Sequence, residues 1–363
     1  MRRQSKEMRF MFRYKIASYF LLIVTAQLVS AQSVRLVKNE AERRIDVFVD
    51  GKPFTSYIYP DTLMKPALYP IRAASGTVIT RGFPIDPKIG ERADHPHQIG
   101  MWFNFGDVNG VDFWNNSNAR TPTEKGRMGT IFHRGITSLK NGKTRGELEV
   151  ECEWVMPDGK KILVEKTRFV FHAVNKTLRM IDRITTLTAL DQEVIFHDNK
   201  EGLIAIRVAR PLEQTTNVAD KYIDINGKLT LSSIVNNEGV TGQYLSGEGK
   251  TGDAVFGTRG RWASLTGKIE NENITIAILD HPKNPNYPTY WFARGYGLFA
   301  ANPFGQRAYS KERKETTLKE ESNFTLSSQK SVTFRYRVLI MSGITATTNE
   351  IEKQQKLFTK KNK

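Results

Sequence analysis

The chain has 363 residues, of which 39% are hydrophobic, and it carries a formal net charge of +16 and a single cysteine, Cys152. This length and apolar content suit one large domain or two ordinary ones, and they exclude an intrinsically disordered chain. One cysteine excludes an intramolecular disulfide, so core packing must supply the stability.

The first 31 residues have the organisation of a secretory signal peptide. Six basic residues precede an apolar run over residues 16–29, and Val29-Ser30-Ala31 provides a small-residue cleavage pattern. The run is shorter than the roughly 20 residues of a spanning helix, so we expect cleavage near Ala31 rather than a stable membrane span. The protein is therefore predicted to be periplasmic or secreted.

The basic charge persists after that cleavage. Residues 1–31 hold six basic residues and one acidic residue, so their removal lowers the formal net charge to +11. The remaining lysines and arginines are scattered along strand-like segments, which argues against nucleic acid as a partner. An anionic polysaccharide or the cell envelope fits better, and a basic surface that only keeps the protein soluble fits equally well.

Short strands joined by turns dominate the rest of the chain. Residues 44–59 alternate across Asp50-Gly51, a pair that favours a type I′ hairpin turn. Residues 147–154 alternate between apolar and acidic positions, and Pro157-Asp158-Gly159 turns them back into a partner strand. Further strand-like runs cover residues 161–172, 177–188, 195–210, 222–233, 261–265, 273–280, 296–301 and 331–341.

Helical periodicity is confined to residues 348–357, which lead into a basic tail. Short antiparallel strands without alternating helices predict an all-β protein, a large antiparallel two-sheet β-sandwich of the supersandwich type with a short C-terminal helix. The predicted organisation is a signal peptide over residues 1–31, a single sandwich domain over residues 32–345 and a helical basic tail over residues 346–363.

Residues 92–114 combine histidines, aspartates and aromatic residues at a density found nowhere else in the chain. Such a mixture suits the wall of a binding site better than a core strand. In His95-Pro96-His97 the proline favours extended chain, which would point both imidazoles to one side. They are candidates for acid–base work, for structural hydrogen bonds, or for metal binding with a distant ligand from Asp94, Asp107, Asp112, His133 or His197.

The same stretch holds candidate ligand-binding side chains. Trp102 and Trp114 offer ring faces on which a sugar would stack, although aromatic residues of β proteins are more often in the core. Asp107 and Asp112 flank Asn109-Gly110, which indicates a hairpin turn rather than a calcium loop, because the closing glutamate of an EF-hand is missing.

Two later segments add titratable groups. Glu201 lies beside Lys200 and near His197, where its pKa would be tuned for proton transfer unless the pair is an ordinary loop ion pair. Asp280-His281-Pro282 repeats the Asp94-His95-Pro96 pattern, and Arg294, like Arg207, would clamp an anion or a hydroxyl group. Serine-nucleophile elbows, phosphate loops and Cys-x-x-Cys pairs are absent from the sequence.

Three segments together resemble a known bacterial family. DHPHQIGMWFNFGDVNGVDFW, HDNKEGLIAIRVAR and DHPKNPNYPTYWFARGYGLFAANPFG resemble the family labelled "methane oxygenase PmoA", otherwise described as a domain of unknown function. That family usually reads Asp-His-Pro-His-His in the first motif, so Gln98 departs from it. Methane oxidation is rejected, because the membrane subunit of a methane-oxidising enzyme must cross the bilayer several times and this sequence has only its signal segment as a long apolar run. The resemblance implies an exported protein of polysaccharide-degrading bacteria with a mutarotase-like supersandwich fold.

These observations favour an exported carbohydrate-active enzyme, of hydrolase, lyase or epimerase type, that transfers protons without a cofactor or a metal. The predicted catalytic residues are Asp94, His95, His97 and Glu201. The predicted substrate-binding residues are Trp102, Asp107, Trp114, Lys200, His281 and Arg294. The alternatives are a non-catalytic glycan-binding or envelope protein, and a metal-dependent enzyme that uses His95 and His97.

Overall fold

The structure is a computed structural model that describes residues 33–361, so the predicted signal peptide lies outside the described residues. The compact unit to which they belong is Ala31–Lys363. The described strands are β1 Val34–Asn39, β2 Arg44–Val49, β3 Lys52–Ile58, β4 Ala67–Leu68, β5 Met101–Phe105, β6 Thr130–Lys140, β7 Arg145–Val155, β8 Lys161–Ala173, β9 Leu178–Ala189, β10 Val194–Phe196, β11 Gly202–Arg207, β12 Gln243–Ser246, β13 Trp262–Ile269, β14 Glu272–Asp280, β15 Tyr290–Arg294, β16 Leu298–Asn302, β17 Phe324–Leu326 and β18 Ser331–Ser342. The α-helices are α1 Pro122–Lys125, α2 Gln306–Glu312 and α3 Thr348–Lys361.

Two antiparallel sheets of eight strands form the body of the protein. The first sheet has the order β1-β2-β3-β4-β5-β11-β16-β15, and the second has the order β12-β13-β14-β18-β9-β8-β7-β6. Strands β10 and β17 pair separately. The predicted fold class, a large two-sheet antiparallel sandwich with a short C-terminal helix, is confirmed.

Local sequence explains the hairpins of both sheets. Asp50 and Gly51 connect β2 to β3 with φ angles of 54° and 76°, the left-handed values that the predicted type I′ turn requires. In β7, Leu148, Cys152 and Trp154 are buried while the glutamates between them point the other way, as the alternation predicts.

Strand β5 differs from the prediction for residues 92–114. The predicted site wall contains a central strand, and all five residues of Met101–Phe105 are buried. Met101, Phe103 and Phe105 pack in the core between the sheets. Trp102 points to the outer face, where loops cover it. The mixture of residue types reflected a strand that is buried on both faces.

Other strand predictions also need correction. Residues 222–233 form no strand; their Asn226-Gly227 turn is present, with an isolated bridge between Ile223 and Leu229. Residues 195–210 are divided between β10 and β11. Besides β5, six of the described strands were not predicted, namely β1, β4, β6, β12, β15 and β17. Strand formation depends on pairing with neighbours in space more than on local β propensity.

Helix α3 covers the outer face of the second sheet. Its buried residues Ile351 and Phe358 pack against a cluster that includes Trp262, Leu339 and Met341. The predicted basic tail is therefore part of the packed structure as far as the described residues extend. Within residues 33–361, no helix is long and apolar enough to cross a membrane.

A buried ion pair links the second sheet to the first. Glu165 in β8 accepts hydrogen bonds from the Trp154 indole at 2.9 Å and from Arg183 Nη2 at 2.6 Å, and Arg183 lies over the Phe103 ring of the first sheet at 4.7 Å. Both charged side chains are nearly fully buried. Each charge therefore depends on the other for compensation.

We expect Glu165→Gln to lower the free energy of unfolding by about 3–5 kcal/mol, because it leaves the Arg183 charge buried without a counter-charge. Urea denaturation of the variant and the wild type measures this difference. The matched control is Glu151→Gln on the neighbouring strand, where the carboxylate meets Lys166 at 3.5 Å on a solvated face. The control substitution should lower the free energy of unfolding by less than about 1 kcal/mol. Equal decreases in the two variants would contradict the role of the buried ion pair.

Candidate functional site

The candidate site lies on the outer face of the first sheet, beside β15 and β11. A cleft of about 940 Å³ opens there, and we name it the His95 cleft. It is lined by Arg92, Asp94, His95, Thr215, Thr216, Asn217, Val218, Asp220, Asn237, Asp253, Phe256, Ala293, Arg294, Gly295 and Tyr296. Its volume is in the range of ordinary small-molecule sites, and its walls combine charged, polar and aromatic groups.

Asp94 is held by two buried arginines. Its Oδ1 accepts hydrogen bonds from Arg81 Nη1 and from Arg207 Nη2, the latter at 2.7 Å. Arg207 is the last residue of β11, so the sheet itself fixes the position of one guanidinium. Both arginine side chains are almost completely buried, and Asp94 is the carboxylate that forms an ion pair with each of them.

Arg81 also fixes the backbone of the loop that carries Asp94. Its guanidinium donates to the carbonyl oxygens of Asp94 at 2.9 Å, His95 at 3.0 Å and Gln98 at 3.2 Å. The Gln98 side chain accepts from Arg207 Nη1 at 2.5 Å. Gln98, the departure from the family motif, is thus a hydrogen-bond acceptor that helps to place Arg207.

Residues 95–98 form a turn instead of the predicted extended chain. The Gln98 amide donates to the His95 carbonyl oxygen at 3.0 Å, and His95 has a φ angle of 44°. A left-handed conformation is uncommon for a residue with a side chain, and the Arg81 contacts hold this one in place. The turn separates the two imidazoles, because His95 is about half exposed while His97 is buried.

His95 and Asp94 form a hydrogen-bonded pair at the mouth of the cleft. The distance from His95 Nδ1 to Asp94 Oδ2 is 2.6 Å. The imidazole stacks on Tyr296, with ring centroids 5.1 Å apart and planes 6° apart. Since Nδ1 is engaged by Asp94, Nε2 is the nitrogen left for a ligand, and the carboxylate would hold the proton on Nδ1.

Electrostatics keep Asp94 ionised. Burial alone would raise the pKa of its carboxyl, but the Arg207 guanidinium, the hydrogen bond with His95 and the Arg81 guanidinium together hold this pKa well below its usual range. Asp94 therefore orients the imidazole and would stabilise its protonated form, and it is not available as a proton donor.

Arg294 forms the opposite side of the cleft. It pairs with Glu312 of α2 at 3.0 Å, and its guanidinium lies over the Phe256 ring at 4.5 Å. Lys200 binds the same Glu312 at 3.0 Å. Lys200 is therefore connected to the cleft through Glu312 and Arg294, and it is not one of the lining residues.

Glu201 is hydrogen-bonded to an amide side chain and not to a histidine, although His95 is near enough to act on the pKa of its carboxyl. Its Oε2 accepts from Asn115 Nδ2 at 2.8 Å, and that amide also binds Asp112 at 2.9 Å. Burial raises the pKa of the Glu201 carboxyl, although the hydrogen bond from Asn115 opposes the shift. Asp107 accepts from the Gly110 amide in the predicted turn, and with Asp112 it borders a separate cavity of about 410 Å³.

The predicted stacking residues are inside the protein. Trp102 and Trp114 are 0% and 1% exposed and pack against each other at 5.4 Å, so neither ring face is open to the cleft. The aromatic rings that line the cleft are those of Phe256 and Tyr296, which the sequence analysis did not single out. Tyr296 follows Arg294 by two residues, and this spacing was the available signal.

His281 belongs to the other sheet. It follows the last residue of β14, and its ring contacts Phe358 of α3 at 5.1 Å. Asp280 is buried and accepts hydrogen bonds from Asn284 and from the Thr289 amide. The two Asp-His-Pro motifs thus have different surroundings. Within the described part of the chain, no three His, Cys, Asp or Glu side chains form a group that would hold a metal ion.

We expect Asp94→Asn to lower the free energy of unfolding by about 3–5 kcal/mol at pH 7, because two buried guanidinium groups lose their counter-charge. The folded-state pKa of Asp94 is depressed, so its stabilising effect is complete above about pH 4 and is lost as the pH falls further. Urea denaturation from pH 3 to pH 7 measures the free energy of unfolding of both proteins. The difference between the variant and the wild type should become smaller below pH 4. Asp86→Asn, at an exposed ion pair, is the control that should show no such difference.

Comparison with solved structures gives matches of low similarity. Galactose 1-epimerase from Lactobacillus acidophilus NCFM is 12% identical, and the match covers 86% of this chain and 98% of that one with a TM-score of 0.37. The Slr1438 protein from Synechocystis sp. PCC 6803 is 11% identical, with 85% and 95% covered and a TM-score of 0.27. Scores this low carry no argument about function, and the sandwich is established by its own strands.

Comparison at the sequence level identifies a family. No curated protein matches the chain. A family model described as "Family of unknown function (DUF6807)" matches residues 44–356. The methane-oxygenase label of the resemblance does not appear in that description, whereas the unknown function does. Because the match covers most of the sequence, the chain belongs to the DUF6807 family.

Proposed function

We propose that the protein is a carbohydrate-active enzyme in which His95 transfers a proton to or from a sugar bound in the His95 cleft. The observation that supports this proposal is the pair of His95 and Asp94 at the mouth of a 940 Å³ cleft. An imidazole oriented by a buried ionised carboxylate is a standard general base. Each of the three sequence motifs contributes to this arrangement, through Asp94 and His95, through Arg207, and through Arg294 and Tyr296.

The contacts define the role of each group. In the neutral imidazole the Nδ1 proton faces Asp94, so the Nε2 lone pair accepts a proton from a hydroxyl group or from a carbon beside a carbonyl group. The ionised Asp94 stabilises the resulting imidazolium. Arg81 and Arg207 act through Asp94 and are positioning residues. The imidazolium can return the proton to another face or position of the same ligand.

This geometry favours an epimerase or a lyase over a hydrolase. Hydrolysis of a glycosidic bond usually needs two carboxyl groups that flank the bond, one of them able to donate a proton. Asp94 cannot serve in that way, because both of its oxygens are engaged by cations or by His95. Glu201 has a raised pKa, but its hydrogen bond is to Asn115 and it does not line the cleft. The other two carboxylates that line the cleft are engaged as well, Asp220 by Arg92 at 2.9 Å and Asp253 by Gln214 at 2.9 Å.

The lining of the cleft supports a sugar as the ligand. Arg294 and the side chains of Thr215, Asn217 and Asp253 offer donors and acceptors for hydroxyl groups. Phe256 and Tyr296 offer flat surface for the C–H face of a sugar ring. Arg294 would also bind the carboxylate of a uronate, because only its Nη2 contacts Glu312, at 3.0 Å.

We expect His95→Gln to reduce proton transfer at least 100-fold, because the variant keeps a polar side chain but has no titratable nitrogen. The purified protein is incubated with neutral aldoses, uronates and keto sugars in D₂O. Deuterium incorporation is followed by mass spectrometry, and anomer interconversion is followed by NMR. His133→Gln is the matched control, because His133 lies outside the cleft, against Tyr57 at 3.1 Å.

Two outcomes would redirect the proposal. If a sugar raises the melting temperature of the wild type but no proton is transferred, the protein is a glycan-binding protein, the alternative function. If turnover occurs and His95→Gln leaves it unchanged, His95 is not the acid–base group. Loss of turnover in His95→Gln with retained ligand binding supports the enzyme.

We further propose that the enzyme is exported and cleaved after Ala31, as the charged and apolar segments of residues 1–31 suggest. Expression with the native N-terminus, followed by intact-mass analysis of the periplasmic and culture fractions, should give a chain that starts at Gln32. An intact N-terminus on protein recovered only from the cytoplasm would contradict export.

A further inference from the structure

A second cavity lies behind the turn that carries His95. It has a volume of about 170 Å³. Most of its walls are apolar, including the side chains of Leu63, Ala67 and Ile99. Two titratable side chains interrupt these walls, Lys65 and His97. The proposed proton transfer at His95 uses neither of them.

Lys65 is a buried amine without a counter-charge. Its side chain is nearly fully buried, and among residues 33–361 its Nζ is hydrogen-bonded to carbonyl and amide oxygens and forms no ion pair with a carboxylate. Two of its hydrogen bonds go to Asn116, at 2.6 Å to Oδ1 and 3.2 Å to the carbonyl oxygen. The remaining contact, with the Trp114 carbonyl oxygen, is long at 3.5 Å. One of the three protons of the Lys65 ammonium group therefore makes only a weak hydrogen bond.

Burial lowers the pKa of Lys65 to about 7, with only the more distant Asp112 opposing the shift. The amine is held in place even so, because Asn116 Nδ2 donates to the Gly129 carbonyl oxygen at 2.8 Å and thereby directs its Oδ1 towards Lys65. An anion in the cavity would supply the missing counter-charge.

His97 is a buried imidazole without hydrogen bonds. Its ring is 1% exposed, and neither ring nitrogen has a partner among the described residues. Burial, followed by the charges of Lys65, His95, Arg120 and Arg81, lowers the pKa of His97 well below its usual value, so the ring is neutral. A neutral imidazole has one N–H donor and one acceptor. Burying this donor and this acceptor without hydrogen bonds lowers the stability of the folded protein.

We propose that Lys65 and His97 form a second binding site, for a small monocarboxylate with a short apolar tail. One carboxylate oxygen would accept the His97 N–H, and the charge would face the Lys65 ammonium group. The tail would pack against Leu63, Ala67 and Ile99. Phosphate suits the cavity less well, because it carries more oxygens than the two polar side chains can satisfy.

The site is separate from the His95 cleft, although the two are close. The rings of His95 and His97 are 5.6 Å apart, and they border different cavities. A bound carboxylate would also act on the turn of residues 95–98 that positions His95. The proposal does not depend on the chemistry of the cleft, and it can be tested without a sugar.

The probe is propionate, titrated into the purified protein by isothermal calorimetry at pH 6. We expect one site per chain, with affinity reduced at least tenfold in Lys65→Met and in His97→Phe. Lys88→Met, at an exposed lysine, and His133→Phe, at a histidine outside the cavity, are the matched controls and should bind like the wild type. His95→Gln should also keep the affinity, which separates this site from the cleft.

A second measurement uses only the wild type and remains informative if a variant does not fold. A bound carboxylate favours the ammonium form of Lys65, so binding at pH 8 should take up nearly one proton, and binding at pH 6 should take up almost none. Calorimetry in buffers of different ionisation enthalpy gives this number. Absence of binding, binding that survives both cavity variants, or no proton uptake at pH 8 would each overturn the proposal.

Discussion

The structure of the candidate site depends on one interaction, the binding of Asp94 between the buried guanidinium groups of Arg81 and Arg207. Two like charges inside a protein repel each other and need a counter-charge close by, and Asp94 is the carboxylate that pairs with both. Arg207 is anchored in β11, so the ion pair fixes the loop relative to the sheet. The same carboxylate reaches His95 through its second oxygen, which links the stability of the loop to the orientation of the imidazole.

Arg81 extends this coupling to the backbone. Its guanidinium binds three carbonyl oxygens of the loop, and these contacts hold His95 in a left-handed conformation at the start of a turn. The turn places His95 in the cleft and His97 in the second cavity. Two histidines separated by one residue therefore have different surroundings, which is why one is a candidate acid–base group and the other a candidate ligand-binding group.

The two sheets have different functions in this arrangement. The outer face of the second sheet is covered by α3 through Ile351 and Phe358. The outer face of the first sheet is covered by loops and by an aromatic cluster that contains Trp102, Trp114 and Phe292. Loops leave irregular space where a packed helix does not, and the His95 cleft lies among these loops. The aromatic cluster supports the floor of the site, so the tryptophans contribute packing rather than stacking surface.

Much of the fold was determined by local sequence. Asp50-Gly51 requires the left-handed φ angles of a tight hairpin, and the alternation of residues 147–154 places one face of β7 in the core, so both were predicted correctly. The density of histidine, aspartate and aromatic residues also directed attention to residues 92–114, which include Asp94 and His95. These features depend on residues that are close in the chain, where propensity and periodicity act directly.

Tertiary structure alone decided the rest. Pairing with β4 and β11 buried Met101–Phe105, and no local pattern distinguishes such a strand from a site wall. Arg207 is 113 residues from Asp94 in the sequence, and only the packing of the loop against β11 brings the two together. The burial of Lys65 and of His97 likewise depends on distant segments. Charge compensation and burial are properties of neighbours in space, so the sequence supplied the candidate groups and the fold determined which of them meet.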